Sequence, residues 1–336
     1  MTDDVLHLEV WKGDWDLPSV DHECLAVWAY CKFSGLPTKV VKSHQLNAFR
    51  SSLCTHELPV LLHGTQVESR SGNIFTYLKN QNLGVDHGLS SKQLADIHAF
   101  TALIEEKLLP AYLHQWWINE DTYVGITRPI YAKASPFPLN YFVPGRLMRA
   151  ATQHVYTPRV SDVSNKNDIE ALIYKEAKEC LNHLSYRLGD NDYFFGSQPT
   201  SLDAIVFGFV APLLKAPLNN SQLANHVKGC DNLGRLMIRI LRKYLPMSPE
   251  DMEERRKSVC KEKEKNQIDA LEFPNKRRNM ILAAIFALTS MIGYAFVSGL
   301  VQILITDDTD IVYSSHSVQF EDDDDDENEG DFGEES

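Results

Sequence analysis

The chain has little of what marks the commoner kinds of site chemistry. Its six cysteines (Cys24, Cys31, Cys54, Cys180, Cys230, Cys260) include no C-x-x-C pair and no metal-ligand spacing, which excludes a zinc ribbon or a dithiol redox motif. They are expected to be reduced thiols, mostly buried, and Cys24 and Cys31, seven apart, share one helix face. Twelve histidines supply no H-E-x-x-H and no cluster, so no metal site is expected. A basic surplus is missing too. The net charge is −13, but residues 307–336 alone hold 14 acids and no Lys or Arg, leaving 32 acids against 33 bases elsewhere. A near-neutral globular part without a basic patch excludes the nucleic-acid-binding class. Residues 1–9 contain Asp3, Asp4 and Glu9, with neither an apolar signal core nor an arginine-rich presequence. The only membrane-directing element is therefore expected at the other end, and the sequon at Asn219 is expected to be unused.

What is present begins with one long uncharged run. From Met280 to Ile305 the chain reads MILAAIFALTSMIGYAFVSGLVQILI, 26 residues whose clearly polar members are Thr289, Ser290, Ser298 and Gln302. A helix rises about 1.5 Å per residue and roughly 20 apolar residues cross a hydrocarbon core of about 30 Å. The run predicts one transmembrane helix over 280–305; a soluble core helix rarely avoids charge for so long. Lys276, Arg277 and Arg278 precede it and Asp307, Asp308 and Asp310 follow it. Basic flanks stay on the cytoplasmic side, so residues 1–279 are expected in the cytosol. Residues 247–279, 17 of 33 charged with nine bases and eight acids, read as a solvated linker. Residues 306–336 read as an acidic disordered tail; the run at 321–327 lacks the glycine and alternating ligands of a calcium loop. Ala295 and Gly299, four apart, would let a second helix approach the span closely.

Ahead of the linker, periodicity divides the chain in two. In residues 1–80, LHLEVW at 6–11 alternates as a half-buried strand does, and residues 24–33 form a helix stopped by Ser34 and Gly35. Residues 38–41 read as a β-branched strand, and residues 58–63 and 66–68 flank Gly64 and Thr65 as a hairpin before a helix from Gly72. The order βαβ then ββα is the thioredoxin-like pattern. Residues 90–246 are helical. Leu94, Ile97, Thr101, Ile104 and Leu108 form one stripe, with Ser90 or Ser91 as its cap. Ile173, Ala177, Cys180, Leu181, Leu184 and Leu188 form another, closed by Gly189. Thr200 and Asp203 are spaced as a capping box, and the apolar run at 204–214 behind them predicts a helix at the domain's centre.

A thioredoxin-like unit followed by an all-helical unit resembles the glutathione S-transferase fold. Leu58-Pro59-Val60-Leu61 is similar to its x-Pro-x-Leu segment, with Pro59 expected cis. Ser71, in RSGNI at 70–74, resembles the serine that contacts glutathione, and Gly196, Thr200 and Asp203 resemble the helical unit's capping motif. A narrower resemblance is to the metaxins of the mitochondrial outer membrane, carried by GDWDLPSV at 13–20, EEKLLP at 105–110, PFPLNYFVPGR at 136–146 and YFFG at 193–196. The span at 280–305 puts the chain with the anchored type. The resemblance implies a non-catalytic subunit of the outer-membrane sorting and assembly machinery, supporting β-barrel protein import and contacts with membrane-organising complexes. Its implied partners are an anchorless metaxin, β-barrel assembly subunits and outer-membrane lipid, with no cofactor and no small-molecule substrate. The domain would face the cytosol and the tail the intermembrane space.

Two other readings stay open. A membrane-anchored glutathione-dependent enzyme needs a Tyr, Ser or Cys after the first strand to stabilise a thiolate. The usual serine position falls near Asp21, whose carboxylate would repel one, while Ser19 and Cys24 are the candidates if the alignment is offset, and Arg70 stands where an acid or Gln usually precedes the serine. The third reading is a tail-anchored adaptor for organelle transport. Residues 116–142 hold seven aromatics (Trp116, Trp117, Tyr123, Tyr131, Phe137, Tyr141, Phe142) and Pro129, Pro136 and Pro138; they fit either loop packing or a partner surface.

Overall fold

The computed structural model describes residues 5–43, 58–135, 137–159, 165–218, 220–246, 252–253, 256–257 and 285–291. The chain divides into two units, Met1–Arg256 and Lys257–Ser336. In the second, residues 285–291 are helical, and the side chains of Ile285, Phe286, Leu288 and Met291 are exposed. Among the described residues no helix is long and apolar enough to cross a membrane. The remainder of the predicted span at 280–305, most of the linker and the whole acidic tail lie outside the described residues, as do Cys54, Cys260 and Asn219.

In the first unit the alternation of LHLEVW becomes strand β1 (Leu6–Trp11), with Leu6, Leu8 and Val10 buried. Helix α1 (His22–Phe33) leads to β2 (Thr38–Ser43), parallel to β1. The hairpin β3 (Val60–His63) and β4 (Gln66–Ser69) turns at Gly64, whose φ of 60° is cheap for glycine alone. The sheet order is β2-β1-β3-β4, with β3 antiparallel to both neighbours, and α2 (Ser71–Asn80) follows. This is the predicted thioredoxin-like order. Helix α1 starts two residues before the apolar run because Asp21 caps it, its Oδ1 accepting the Cys24 N–H at 3.0 Å.

The helical unit opens with α3 (Ser91–Leu103), whose capping box pairs Ser90 with Gln93. The helix runs on through a π turn (Ile104–Leu108), α4 (Leu109–Leu113) and a second π turn (His114–Ile118). Each π turn inserts a residue and rotates the buried face. Ile97, Ile104 and Leu108 are buried while Leu94 and Thr101 of the same predicted stripe are half-buried. After a third π turn (Tyr123–Thr127) come α5 (Arg128–Ala134), α6 (Val143–Tyr156) and α7 (Lys166–Leu188). All six residues of the second predicted stripe are buried on α7, which ends at Gly189 with φ 54°.

Helix α8 (Ser201–Lys215) is buried along most of its length, and α9 (Gln222–Gly229) and α10 (Asp231–Tyr244) pack around it. Burying each of Leu202, Phe207 and Leu213 is worth roughly 1.5–3 kcal/mol. Helices α8 and α1 meet almost backbone to backbone. A Cβ at Gly208 would lie 2.4 Å from the His22 carbonyl oxygen, so only glycine lets them touch. Sandwiched between the sheet and α8, α1 is apolar nearly all round, from Cys24 to Cys31.

Candidate functional site

The candidate site is where the β1–α1 turn, α1 and the start of α2 meet, the place a thiol-binding member of this fold would use. The turn is built by glycine and held by the helical unit. A Cβ at Gly13 would stand 2.1 Å from the Leu17 carbonyl oxygen, so the chain folds back on itself only with glycine there. Trp15 and Asp16 take left-handed backbone, φ 52° and 64°, a conformation few non-glycine residues adopt. Two contacts hold them: the Trp15 ring meets Trp116 edge-on at 6.0 Å, and Asp16 faces Lys215 Nζ at 3.7 Å. The ion pair is a third exposed and worth little alone, so the aromatic contact carries more of the docking.

At the start of α1 the residue types are wrong for activating a thiol. The Asp21 Oδ2 lies 3.7 Å from His22 Nδ1 and accepts from the Tyr131 hydroxyl at 3.5 Å. Burial works against the Asp21 charge, but the His22 bond and charge, with the Cys24 N–H, outweigh it and hold the carboxyl below its ordinary range. Burial likewise opposes the His22 charge, and Asp21 outweighs it, holding the imidazole above its ordinary value. The His22 ring lies between Tyr112 and Phe209, at 4.9 and 4.7 Å. A thiolate brought here would meet an ionised carboxylate. The two offset candidates do not rescue the chemistry. Cys24 is fully buried, and burial followed by the Asp21 charge pushes its thiol well above the ordinary value, the reverse of an activated cysteine. Ser19 is fully buried as well, with its Oγ accepting the Asp21 N–H at 3.3 Å.

The second half of the site is closed from within. The Leu58-Pro59 peptide is cis, as expected. Arg70 donates its N–H to the Pro59 carbonyl at 3.3 Å and turns the chain at φ 68°, giving α2 no side-chain cap. A helix start without a cap offers free N–H groups and a partial positive charge, and so draws an anion. Here the anion is the chain's own. The Ser71 N–H donates to Glu23 Oε2 at 2.9 Å, from the first turn of α1. At the serine that the resemblance assigns to glutathione, the backbone donor is thus engaged by an internal carboxylate.

Gly196, Thr200 and Asp203 form a network of their own. Asp203 Oδ1 accepts the Phe194 N–H at 3.0 Å, and Oδ2 accepts the Thr200 N–H and hydroxyl, each at 2.8 Å. The reciprocal capping box is present. Gly196, at φ 111°, closes a two-way backbone bridge with Tyr193. Burial nevertheless pushes the Asp203 carboxyl up to about 6. This cluster ties the loop before α8 to the helix and presents no reactive group.

Sequence reasoning missed Glu23, because an acid in a helix's first turn is ordinary. It also missed a buried relay in the helical unit, where the Tyr174 hydroxyl meets His114 Nδ1 at 3.2 Å and Gln115 Oε1 at 3.3 Å, and Gln115 Nε2 donates to the Thr122 hydroxyl at 2.9 Å. The aromatic segment splits: Trp116, Trp117 and Tyr131 are core, whereas Phe137, Tyr141 and Phe142 are exposed. Among the described residues no three His, Cys, Asp or Glu side chains are grouped to hold a metal. Two surface depressions lie on α10, around Arg235 and Arg239, and neither includes a residue of the candidate site.

Element order, the cis proline and the buried Asp203 network define the class: a glutathione S-transferase-like fold, in which the Ser71 N–H is bonded by the chain's own Glu23. Residues 177–240 match the glutathione S-transferase C-terminal domain family, and residues 24–148 match Tom37, described as an outer mitochondrial membrane transport complex protein. Metaxin-1 of Macaca fascicularis is 40% identical over 306 residues, covering 89% of this chain and 92% of that protein. Metaxin-3 of Xenopus laevis is 43% identical over 241 residues, covering 71% and 77%. The chain belongs to the metaxin family. Among solved structures, a glutathione S-transferase of Ceriporiopsis subvermispora in complex with glutathione aligns with a TM-score of 0.48 at 15% identity, over 73% of this chain and 99% of that one.

Proposed function

We propose that this chain is a non-catalytic subunit of the mitochondrial outer-membrane sorting and assembly machinery, supporting import and assembly of β-barrel proteins. The observation that carries the non-catalytic part is the 2.9 Å bond from Ser71 N–H to Glu23, beside a buried Cys24 and an ionised Asp21. The family match and its description supply the membrane and the transport role. In this reading residues 280–305 anchor the chain, the domain faces the cytosol and the acidic tail the intermembrane space. Its partners are an anchorless metaxin and the β-barrel assembly subunits, with further contacts to membrane-organising complexes.

The physical logic concerns strand edges and tethering. An unfinished β-barrel exposes unpaired backbone groups that lipid cannot satisfy and that aggregate in water. A tethered subunit that keeps an assembly site together raises local concentration without touching the precursor. The test is porin assembly rate and steady-state level after depletion, against a helical tail-anchored control. A selective fall in porin is expected. Unchanged assembly in cells without another metaxin would overturn the reading and favour the transport adaptor.

A further inference from the structure

Three large aromatic side chains sit in water next to unpaired cations. Phe137, Tyr141 and Phe142 are 80%, 71% and 68% exposed, in and beside the connection between α5 and α6, and the first two rings meet edge-on at 6.2 Å. Phe142, Arg146 and Arg149, spaced four and three apart, share the exposed face of α6, while Val143, Ala151 and Val155 are buried. Arg128 and Lys133 are exposed on α5, which packs against α6. None of these four cations forms an ion pair among the described residues. From Tyr123 to Ser161 the chain has five Lys or Arg and no acid. The cations of α10 differ, since Arg235 and Arg239 face Asp190 and Asp192 at 3.9 and 2.9 Å.

We infer that this aromatic and basic surface seats the domain on a bilayer bearing anionic headgroups. Exposed aromatics in one patch mark a contact surface. Aromatic rings settle at headgroup depth, and Lys and Arg beside them are drawn by anionic lipid. An acidic protein would satisfy the same charges, but the chain itself favours lipid. It carries the apolar run at 280–305 with Lys276, Arg277 and Arg278 before it, and the 33 residues of 247–279 can extend no more than about 120 Å. A surface held that close to a bilayer acts at high effective concentration even if it is weak. The inference rests on the anchor reading proposed above.

The experiment reconstitutes the full chain into phosphatidylcholine vesicles with and without phosphatidylserine. Flotation and amide hydrogen exchange over residues 137–149 are then read together. The chain should float with both, and exchange at 137–149 should slow only with phosphatidylserine. At about 1 kcal/mol per cation near an anionic surface, each cation removed should weaken seating about fivefold, so Arg146→Ala with Arg149→Ala should lower the seated-to-free ratio about 25-fold. Phe137→Ser with Tyr141→Ser and Phe142→Ser should also abolish protection; its side chains are exposed, so the unfolding midpoint should hold. Flotation with both vesicles but equal, unprotected exchange overturns the surface inference alone. Flotation only with phosphatidylserine upholds the surface and overturns the anchor, and flotation with neither overturns both. Protection in neutral detergent that survives the arginine substitutions means a protein covers the patch, and overturns the inference.

Discussion

Asp203→Asn tests whether the α8 cap is a hydrogen-bond network or a buried charge held at a penalty. The wild-type carboxylate has three donors: the Phe194 N–H, the Thr200 N–H and the Thr200 hydroxyl. An asparagine oxygen can keep one side of that set, and its NH2 must then face an N–H that is left without an acceptor. One orphaned buried N–H costs about 1–3 kcal/mol. Against this stands the burial of the wild-type charge. The carboxyl is pushed from an ordinary 3.8 up to about 6 by burial, a difference of about two pH units, and at about 1.4 kcal/mol per unit the charged form is disfavoured by at most about 3 kcal/mol. The sign follows from linkage: a raised folded-state value means the folded state holds the proton longer. The wild-type contribution is therefore fully present below the ordinary value and is lost as pH rises through about 6. Asparagine does not titrate. The wild type should exceed the variant by about 1–3 kcal/mol near pH 4, and the gap should shrink by up to about 3 kcal/mol by pH 7. Urea unfolding followed by tryptophan fluorescence reads this, since all five tryptophans lie between positions 11 and 117. A gap that does not change with pH would refute the buried-charge account, and a variant as stable as wild type at low pH would refute the network.

Glu23→Ala removes the acceptor of the Ser71 N–H and should destabilise by about 1–2 kcal/mol. It should create no glutathione conjugation, because Asp21 and the buried Cys24 remain; saturable turnover that vanishes with Ser71→Ala would show the site to be enzymatic. Gly208→Ala forces a Cβ to within 2.4 Å of the His22 carbonyl oxygen and should lower stability by about 1–3 kcal/mol despite alanine's better helix propensity, seen as a lower thermal midpoint. His22 should titrate above its ordinary 6.5 by NMR and fall back in Asp21→Asn. Its stabilisation is complete below 6.5 and is lost as pH rises through the raised value, while that of Asp21 is present above 3.8 and lost as pH falls. Protease added to intact mitochondria should digest the domain and spare a fragment carrying the span and the acidic tail; loss of an epitope placed after Ser336 would reverse the proposed topology.

Local rules account for what was legible. The alternation of Leu6, Leu8 and Val10, the caps at Ser90 and Thr200 and the glycine at 189 each act within one or two turns, and each appears as expected. What was not legible depends on residues far apart in sequence or on small backbone adjustments. The π turn at 104–108 interrupts the end of a stripe that reads as one regular helix face, and a second at 114–118 follows it. Trp15 finds Trp116, and Asp16 finds Lys215, only after the helical unit has packed. The pairing of Glu23 with Ser71 spans 48 positions, and an acid in a first turn already has a local explanation in the helix dipole. The aromatics at 116–142 have similar composition whether they end in the core or in water. Only packing separates Tyr131, 2% exposed, from Phe137, 80% exposed.

The internal bond at Ser71 bears on the proposed role as a subunit. In a member that binds glutathione, the start of α2 is satisfied by a ligand, so its stability rises with ligand as RT ln(1 + [L]/Kd). Here the acceptor is Glu23, part of the chain itself, at 2.9 Å from the Ser71 nitrogen. One N–H of the helix start thus has an acceptor without a ligand, and the turn carrying Trp15 packs against Trp116 in the same structure. An arrangement of this kind agrees with the proposed non-catalytic role, because the helix start has an internal acceptor in place of a ligand. The inferred membrane-seating surface is a separate feature, the aromatic and basic face of α6, where side chains are exposed and the cations form no ion pair among the described residues.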